Sequence, residues 1–257
     1  MDWTDVFLEQ ERQAHLNFFG REFDLSAFKK TLQKHGEKKV KEWKKLLLEP
    51  HFLPKVKMDR KAEFTGWKVR PDNHAYEVVY QGKVLRNIDG KIIPDKKAHW
   101  LSGEIVLVDT RLKPDYRDGK QMWEGDENFL GPILEGLRES GQINKYEYGK
   151  QYSRFGVSAD DWENHIKLAL LKDERFNHIQ WRLERAVEGN VIPQMYPYTE
   201  RKCDGNTSTW IWYEEYFEDC SFRLDGGHSD YGGLSDFYWY WSGSRWYFGS
   251  FRPLAVL

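Results

Sequence analysis

A short aromatic stretch constrains this chain more than any other part of its sequence. The run SDFYWYWSGSRWYFGSF, residues 235–251, sets nine aromatic side chains among serines and glycines and contains no aliphatic residue. A buried strand normally carries Val, Ile and Leu as well. At a strand period of two, Phe237, Trp239 and Trp241 share one face, while Tyr238, Tyr240 and Ser242 share the other. We therefore expect the large rings to anchor a scaffold and the hydroxyl-bearing side chains to meet a ligand, with an aromatic-rich core as the alternative.

Length and charge limit the classes of partner. The 257 residues can form one large domain or two modest ones. With 39 basic and 41 acidic residues the net charge is −2, so no global field attracts nucleic acid or an anionic membrane. The sequence has no apolar run long enough to span a bilayer, and its polar first residues do not resemble a signal peptide. These features favour a cytoplasmic protein.

The first part of the chain is typical of basic helices. Apolar residues recur near helical period between Asp24 and Pro50, with a break at His35 and Gly36 and with Asp24 or Ser26 as the N-cap. Eight lysines lie between Lys29 and Lys45. They could form a nucleic-acid face, but the absence of clustered arginines favours a solvated helix surface.

Strand-like runs follow the helices, at GWKVRP (66–71), AYEVVYQGKVLRNIDGKIIPD (75–95) and WLSGEIVLVDTRLKP (100–114). The middle run contains two turn candidates, at Gln81-Gly82 and Asp89-Gly90, and predicts an antiparallel meander. EIVLVDTRL, residues 104–112, has the strongest strand composition and should lie centrally in a sheet.

Two more helices are predicted in the middle of the chain. DENFLGPILEGLRESG should end at Gly141, and SADDWENHIKLALLKD begins with Ser158 and Asp161 in a capping-box arrangement. Residues 178–197 could continue the helix or supply a strand.

Motifs for catalysis or metal binding are scarce. Neither H-x-x-x-H nor C-x-x-C occurs, and no glycine loop has a phosphate-binding pattern. The carboxylates of Glu214, Glu215, Glu218 and Asp219 could bind calcium or act as acid and base, or they could simply be solvated. Cys203 and Cys220 are expected to be free thiols, although a fold that brought them together could pair them. We predict no cofactor and no enzymatic activity.

The C-terminal quarter resembles the formylglycine-generating enzyme branch of the C-type lectin fold. That branch has the ordered segments GNVWEW, RGGSW and GFR. Residues 207–212 match the first, Arg223 with Gly226, Gly227 and Ser229 match the second, and Gly249, Phe251 and Arg252 match the third with Ser250 inserted. The resemblance implies an α+β protein with a C-type lectin-like domain over residues 101–257, and a helical and β-hairpin region at 1–100 packed on it. It also implies that the last strand pairs near the first strand of the domain. From the order of the elements we expect residues 104–112 and the C-terminal strands to lie in one sheet.

The same frame is similar to the variable proteins of diversity-generating retroelements. LVDTRLKPDYRDGKQM, SRFGVSADDWE and FRPLAVL also resemble recurring phrases of hypothetical proteins from small-genome uncultivated bacteria. The enzyme branch uses a cysteine pair that this chain lacks after Gly227, so the resemblance favours a non-catalytic receptor over an oxidase. In variable proteins, adenine-directed mutagenesis rewrites codons of a C-terminal binding face, here at about residues 228–250.

The resemblance also identifies candidate binding residues. An AAC codon can become a Tyr, Ser, Asp or Phe codon by changes at its adenines, but it cannot become a Trp codon, so Trp239 and Trp241 belong to the fixed scaffold. The predicted ligand-binding residues are Asp230, Tyr231, Tyr238, Tyr240, Ser242, Ser244 and Tyr247. The ligand is an unknown protein or glycan, and the sequence leaves the oligomeric state open.

Overall fold

The chain is an α+β protein with helices packed around two antiparallel-rich sheets. The computed structural model describes residues 2–59, 61–80, 83–88, 90–118, 121–177, 179–197, 199 and 205–257. Its helices are α1 (Trp3–Phe19), α2 (Ser26–His35), α3 (Glu37–Lys45), α4 (Asn73–Tyr80), α5 (Gly131–Glu139), α6 (Ala159–Asp161), α7 (Lys167–Lys172) and α8 (Ala186–Met195). Its strands are β1 (Leu48–Phe52), β2 (Val84–Ile88), β3 (Lys91–Pro94), β4 (Ile105–Asp109), β5 (Gln180–Leu183), β6 (Trp210–Phe217), β7 (Phe222–Gly226), β8 (Phe237–Trp241), β9 (Gly249–Phe251) and β10 (Pro253–Val256).

The first sheet has the strand order β1-β4-β10-β5, and all its neighbours are antiparallel. The prediction that residues 104–112 hold a central strand is confirmed, because β4 lies between β1 and β10. Val106, Leu107 and Val108 are fully buried, as expected for a strand covered on both faces. The C-terminal run is also a paired strand, since Leu254 lies opposite both Val108 and Arg182.

The second sheet has the order β3-β2-β6-β7-β8, and β9 pairs in parallel with β6. The expectation that all C-terminal strands join β4 in one sheet is therefore wrong. Within the described residues β6 pairs with β7 on one edge and with β2 and β9 on the other, and it pairs with no strand of the first sheet. The chain passes from the second sheet to the first at Arg252, whose guanidinium donates to the carbonyl oxygens of Asp109 and Arg111 at 2.7 and 2.9 Å.

The helices predicted before Pro50 are present, and their break is confirmed at Gly36, whose φ is +81°. That backbone conformation favours glycine. Asp24 accepts a hydrogen bond from the Ser26 amide at 2.8 Å where α2 begins. Both helices turn their apolar side chains inward, including Phe28 and Trp43, which are 1% exposed.

Two of the strand predictions are wrong. Residues 66–71 form turns, and residues 75–80 belong to α4. The helix begins where Asp72 accepts a hydrogen bond from the Ala75 amide at 2.9 Å, and Ala75 and Val78 then bury one helical face. The hairpin is confirmed in its strands, because Ile88 of β2 lies opposite Lys91 of β3. Residues 81, 82 and 89, which carry the predicted turns, lie outside the described residues.

The predictions for the middle of the chain are confirmed. Gly141 follows α5 with a φ of +73°, and Ser158 and Asp161 form the expected capping box. From α6 the helix continues through a π-helical segment (Trp162–Ile166) into α7. Residues 178–197 supply both a strand and a helix, namely β5 and α8.

Residues 1–100 pack on the rest of the chain. They contribute β1 to the first sheet, and one hydrophobic cluster holds Phe28 and Trp43 together with Leu107 and Phe251. The division into regions 1–100 and 101–257 stays a prediction. Among the described helices, none has the length and apolarity that crossing a bilayer requires.

Candidate ligand-binding site

The two faces of the second sheet differ in what covers them. Along β6, β7 and β8 successive side chains alternate between the faces. Ile211, Leu224 and Phe237 point into a buried cluster that also packs against Trp239. On the opposite face Asp225 lies in register with Tyr238 of β8. This outer face carries the candidate site.

The alternation predicted for β8 holds only in part. Phe237 is 7% exposed and Trp239 packs on Phe217 with ring centroids 4.2 Å apart, so both rings anchor the sheet as expected. The expectation that Trp241 is also an anchor is wrong, because its side chain is 60% exposed. β8 is an edge strand of the second sheet. Trp241 is its last residue and pairs with Phe222, the first residue of β7, so both strands end there and leave the Trp241 ring uncovered.

The segment after β8 folds back over the outer face and builds a stack of rings. Trp246 stacks on the buried Trp212, with centroids 4.6 Å apart and planes 17° apart. Phe248 continues the stack 6.0 Å from Trp246, and the Tyr240 ring stands against Trp246 at 73° and 4.7 Å. Trp212 is held in turn by its Nε1, which donates to the Val157 carbonyl oxygen at 3.1 Å. These rings therefore rest on the core.

The stack and the sheet line an open depression of about 400 Å³, which we call the Asp225 cavity. Trp210 and Tyr238, whose rings meet at 85° and a centroid distance of 5.6 Å, also border it. The lining residues are Trp210, Asp225, Tyr231, Tyr238, Trp239, Tyr240, Trp246 and Phe248. Apart from one carboxyl group, every side chain in this lining is aromatic.

That carboxyl group is buried, and one of its two oxygens has no hydrogen-bond partner among the described residues. Asp225 is 3% exposed, and its Oδ1 has no hydrogen-bond partner within the part of the chain that the structure describes. Removal from water raises the pKa of Asp225 well above its usual value, because burial disfavours the charged form. The arginine of the same strand is engaged elsewhere, since Arg223 donates to the Glu214 carbonyl oxygen and, at 2.8 Å, to the carboxylate of Glu163.

A second depression of about 320 Å³, the Tyr247 groove, adjoins the cavity. It is lined by Tyr116, Arg117, Ser208, Trp210, His228, Asp230, Tyr231, Tyr247 and Phe248, so it shares three rings with the cavity. Arg117 forms an ion pair with Asp230. The Tyr116 and Tyr247 rings lie 5.0 Å apart at its other side. The cavity and the groove together form one continuous aromatic surface.

The structure brings most of the predicted binding residues together on this surface. Tyr231, Tyr238 and Tyr240 line the Asp225 cavity, and Asp230, Tyr231 and Tyr247 line the Tyr247 groove. Their role in binding stays a prediction.

The two predicted serines lie elsewhere. Ser242 is 4% exposed, so the expectation that its side chain faces a ligand does not agree with its position. Its backbone is held between two elements, because its amide donates to the Ser221 carbonyl oxygen at 2.8 Å and its carbonyl accepts from the Asp160 amide at 3.1 Å. Ser244 is half-buried and lines neither the cavity nor the groove.

Sequence reasoning missed several lining residues. Asp225, Trp210, Tyr116 and Arg117 were not predicted as part of the site. Asp225 had one available signal, since it is a charged residue between Leu224 and Gly226 in a strand-like run. The burial of such a residue depends on the segment that folds back over it, which strand periodicity alone does not reveal.

The predicted acidic cluster does not converge. Glu214 accepts a hydrogen bond from the Leu183 amide and Glu215 accepts one from the Ala186 amide, both at 3.0 Å. Glu218 pairs instead with Lys83. Across the described residues, no group of three or more His, Cys, Asp or Glu side chains is arranged to hold a metal ion. Cys220 is an exposed free thiol, and Cys203 lies outside the described residues.

Comparison with protein-family models, with curated proteins and with solved structures found no match to this chain. The aromatic surface therefore has to be interpreted from its own geometry and chemistry.

Proposed function

We propose that this protein is a non-catalytic, receptor-like ligand-binding protein that uses the aromatic surface to recognise its partner. The observation that carries the proposal is the open arrangement of tyrosines over a fixed base. Tyr231, Tyr240 and Tyr247 are 52%, 51% and 42% exposed, while Trp212, which supports Trp246 next to Tyr240, is 1% exposed. Exposed rings on a rigid base are typical of binding surfaces rather than of a core.

Tyrosine suits such a surface for physical reasons. Its ring offers a large contact area with only two rotatable bonds to restrict, and its hydroxyl group can form hydrogen bonds with varied partners. Binding should cost little additional side-chain entropy at these rings, because edge contacts such as that between Tyr240 and Trp246 already orient them in the free protein. These properties favour the binding role over a purely structural, aromatic-rich core.

We further propose a C-type lectin-like scaffold with a diversified face at about residues 228–250. Two features support this proposal. The strand β10 pairs with β4, the first strand of the proposed domain, as the resemblance implies. Tyr240, which an AAC codon can reach, packs against Trp246, which that codon cannot reach and which stacks on Trp212.

The alternative is an oxidase like the formylglycine-generating enzymes. That chemistry requires a cysteine pair at positions after Gly227, where this chain has none. Cys220 lies on an exposed turn between β6 and β7, and it is absent from the linings of the Asp225 cavity and the Tyr247 groove. A non-catalytic role agrees better with these positions.

Selection of binders tests the proposal. Peptides are selected from a random displayed library on the immobilised full-length protein, and their Kd is then measured against Tyr231→Ala and Tyr240→Ala. Each substitution should weaken binding by about 2 kcal/mol, or roughly thirtyfold, because central aromatic residues dominate such interfaces. Leu168→Ala is the control, because Leu168 is 48% exposed on α7 and lines neither the cavity nor the groove. Peptides that bind all three variants equally well would contradict the proposed site.

The encoding locus tests the diversification separately. We expect a nearby near-copy of the segment for residues 228–250 that differs from the gene at adenines, together with a reverse transcriptase gene. A complete locus that contained neither would remove the retroelement part of the proposal and leave the binding surface to be judged by the peptides.

A further inference from the structure

We propose that the Asp225 cavity binds an organic cation, namely an ammonium or guanidinium group projecting from the ligand. The inference rests on the proposed ligand-binding function and specifies the chemistry of the group recognised. It is carried by the combination of a buried carboxyl group, one of whose oxygens has no partner among the described residues, with a wall of aromatic rings.

The carboxyl group supplies the first half of the argument. Asp225 lies in the cavity lining at 3% exposure, and its Oδ1 has no partner in the described part of the chain. Buried acceptors are normally paired, so an orphaned one that borders a cavity indicates a missing donor. A protonated ammonium or a guanidinium group can donate to the free oxygen and also offset the charge that the carboxylate acquires on ionisation, whereas a quaternary ammonium group offsets the charge alone.

The rings supply the second half. Each aromatic face carries negative electrostatic potential and attracts a cation placed above it. Trp210 and Tyr238 meet at 85° and form a corner of the cavity, whereas Trp246 is stacked between Trp212 and Phe248, so its faces are already covered. A corner of this kind brings ring faces of different orientation to one point, which is the arrangement that suits alkylated ammonium groups. The same faces, together with the carboxyl group, disfavour an anion.

The arginines around this surface have other partners. Arg117 pairs with Asp230, and Arg223 donates to Glu163. Arg245 donates to both carboxylate oxygens of Asp161, each at 2.8 Å. These side chains are therefore not positioned to neutralise Asp225, and the cavity stays open for a cation from the ligand.

The experiment uses simple cations as probes. The isotope-labelled full-length protein is titrated with choline, butylammonium and methylguanidinium, and NMR follows the indole N–H signals of Trp210, Trp239 and Trp246. The matched neutral probe is the carbon analogue of choline, in which a carbon atom replaces the ammonium nitrogen. We expect saturable shifts with the cations, and binding of the neutral analogue that is weaker by about tenfold or more.

Two variants assign the preference to the carboxyl group. Asp225→Asn keeps the shape of the side chain and removes its charge, so the preference for choline over the analogue should fall to what the rings alone supply. Asp219→Asn is the control, because Asp219 lies on the exposed turn after β6, and asparagine keeps an oxygen that can accept the Ser221 amide hydrogen. We expect this control to bind choline with an unchanged Kd.

Three results would each overturn the inference: equal binding of choline and its neutral analogue, a preference that Asp225→Asn leaves undiminished, or no indole shift at millimolar concentrations of any cation. The comparison of charged and neutral probes needs only the parent protein, so it decides the question even where a variant fails to fold. If the tyrosine variants lose the selected peptides but the parent protein binds no cation, the proposed binding surface is retained and only the inferred cation is ruled out.

Discussion

Replacing Asp225 with asparagine should stabilise the protein at neutral pH. A carboxyl group with a raised pKa keeps its proton in the folded protein at pH values where the unfolded chain has already released it. Between the pKa of the unfolded chain, about 3.9, and the higher pKa of the folded protein, the unfolded state binds fewer protons. Rising pH therefore lowers the free energy of unfolding of the parent, and asparagine, which does not titrate here, removes that loss.

The magnitude follows from proton linkage. Each pH unit within this window should add about 1.4 kcal/mol to the stability of Asp225→Asn relative to the parent. For a chain of this size that corresponds to roughly 3 to 5 °C in Tm per pH unit. The amide group of the new asparagine shifts the free energy of unfolding of the variant by the same amount at every pH, so it does not change the slope of the difference with pH. The pH at which the difference stops growing reports the pKa of Asp225 in the folded protein.

Urea denaturation, followed by tryptophan fluorescence at half-unit steps from pH 4 to pH 8, measures this difference. Asp219→Asn serves again as the control for the loss of a carboxyl group at an exposed position, and it should change the free energy of unfolding by less than about 0.5 kcal/mol at pH 7. A difference between Asp225→Asn and the parent that does not change with pH would refute the reasoning. So would a variant that is less stable than the parent at every pH.

Three further predictions concern the scaffold. Trp212→Ala should lower the free energy of unfolding by about 3 to 5 kcal/mol, because the Trp212 side chain is 1% exposed. Trp241→Ala should change it by less than about 1 kcal/mol, because Trp241 is 60% exposed. Equal losses for the two variants in chemical denaturation would contradict the placement of Trp241. Removal of residues 253–257 should abolish cooperative thermal unfolding, because it opens β4 and β5 along one edge each; a normal calorimetric transition would show that β10 is dispensable. Burial alone would raise the pKa of Glu11, but the neighbouring His51 and His15 lower it to about 2. Glu11 should therefore contribute stability above pH 4.5, and this contribution should be lost as the pH falls towards 2. Glu11→Gln should therefore cost about 3 kcal/mol at pH 6, and a cost of the same size at pH 3 in urea denaturation would exclude this linkage.

The sequence predicted those helix boundaries that depend only on residues close to them in the chain. Gly36 and Gly141 could be predicted as helix ends because the positive φ that ends each helix is a property of the glycine itself. The capping box at Ser158 is likewise formed within four residues. AYEVVY failed as a strand because its apolar residues also suit a helix, and the cap supplied by Asp72 decides between the two.

The candidate site depended on contacts between distant residues, and the sequence predicted it less well. Tyr238 and Tyr240 could be proposed from composition and alternation, and Tyr231 from the resemblance to variable proteins. The exposure of Trp241 and the burial of Asp225 depend instead on which strand forms the sheet edge and on where the chain folds back after it. Periodicity within one strand contains neither piece of information.

The position of β10 has a consequence for how the chain reaches its native state. This strand lies between β4 and β5, so Leu254 must find Val108 and Arg182 across long stretches of sequence before the first sheet is complete. Contacts of such wide separation slow folding, because loop closure has to precede any gain from pairing. Until β10 docks, the apolar strand around Leu107 presents an open edge to other molecules. We therefore expect refolding yields that fall as protein concentration rises, through aggregation that begins at that edge.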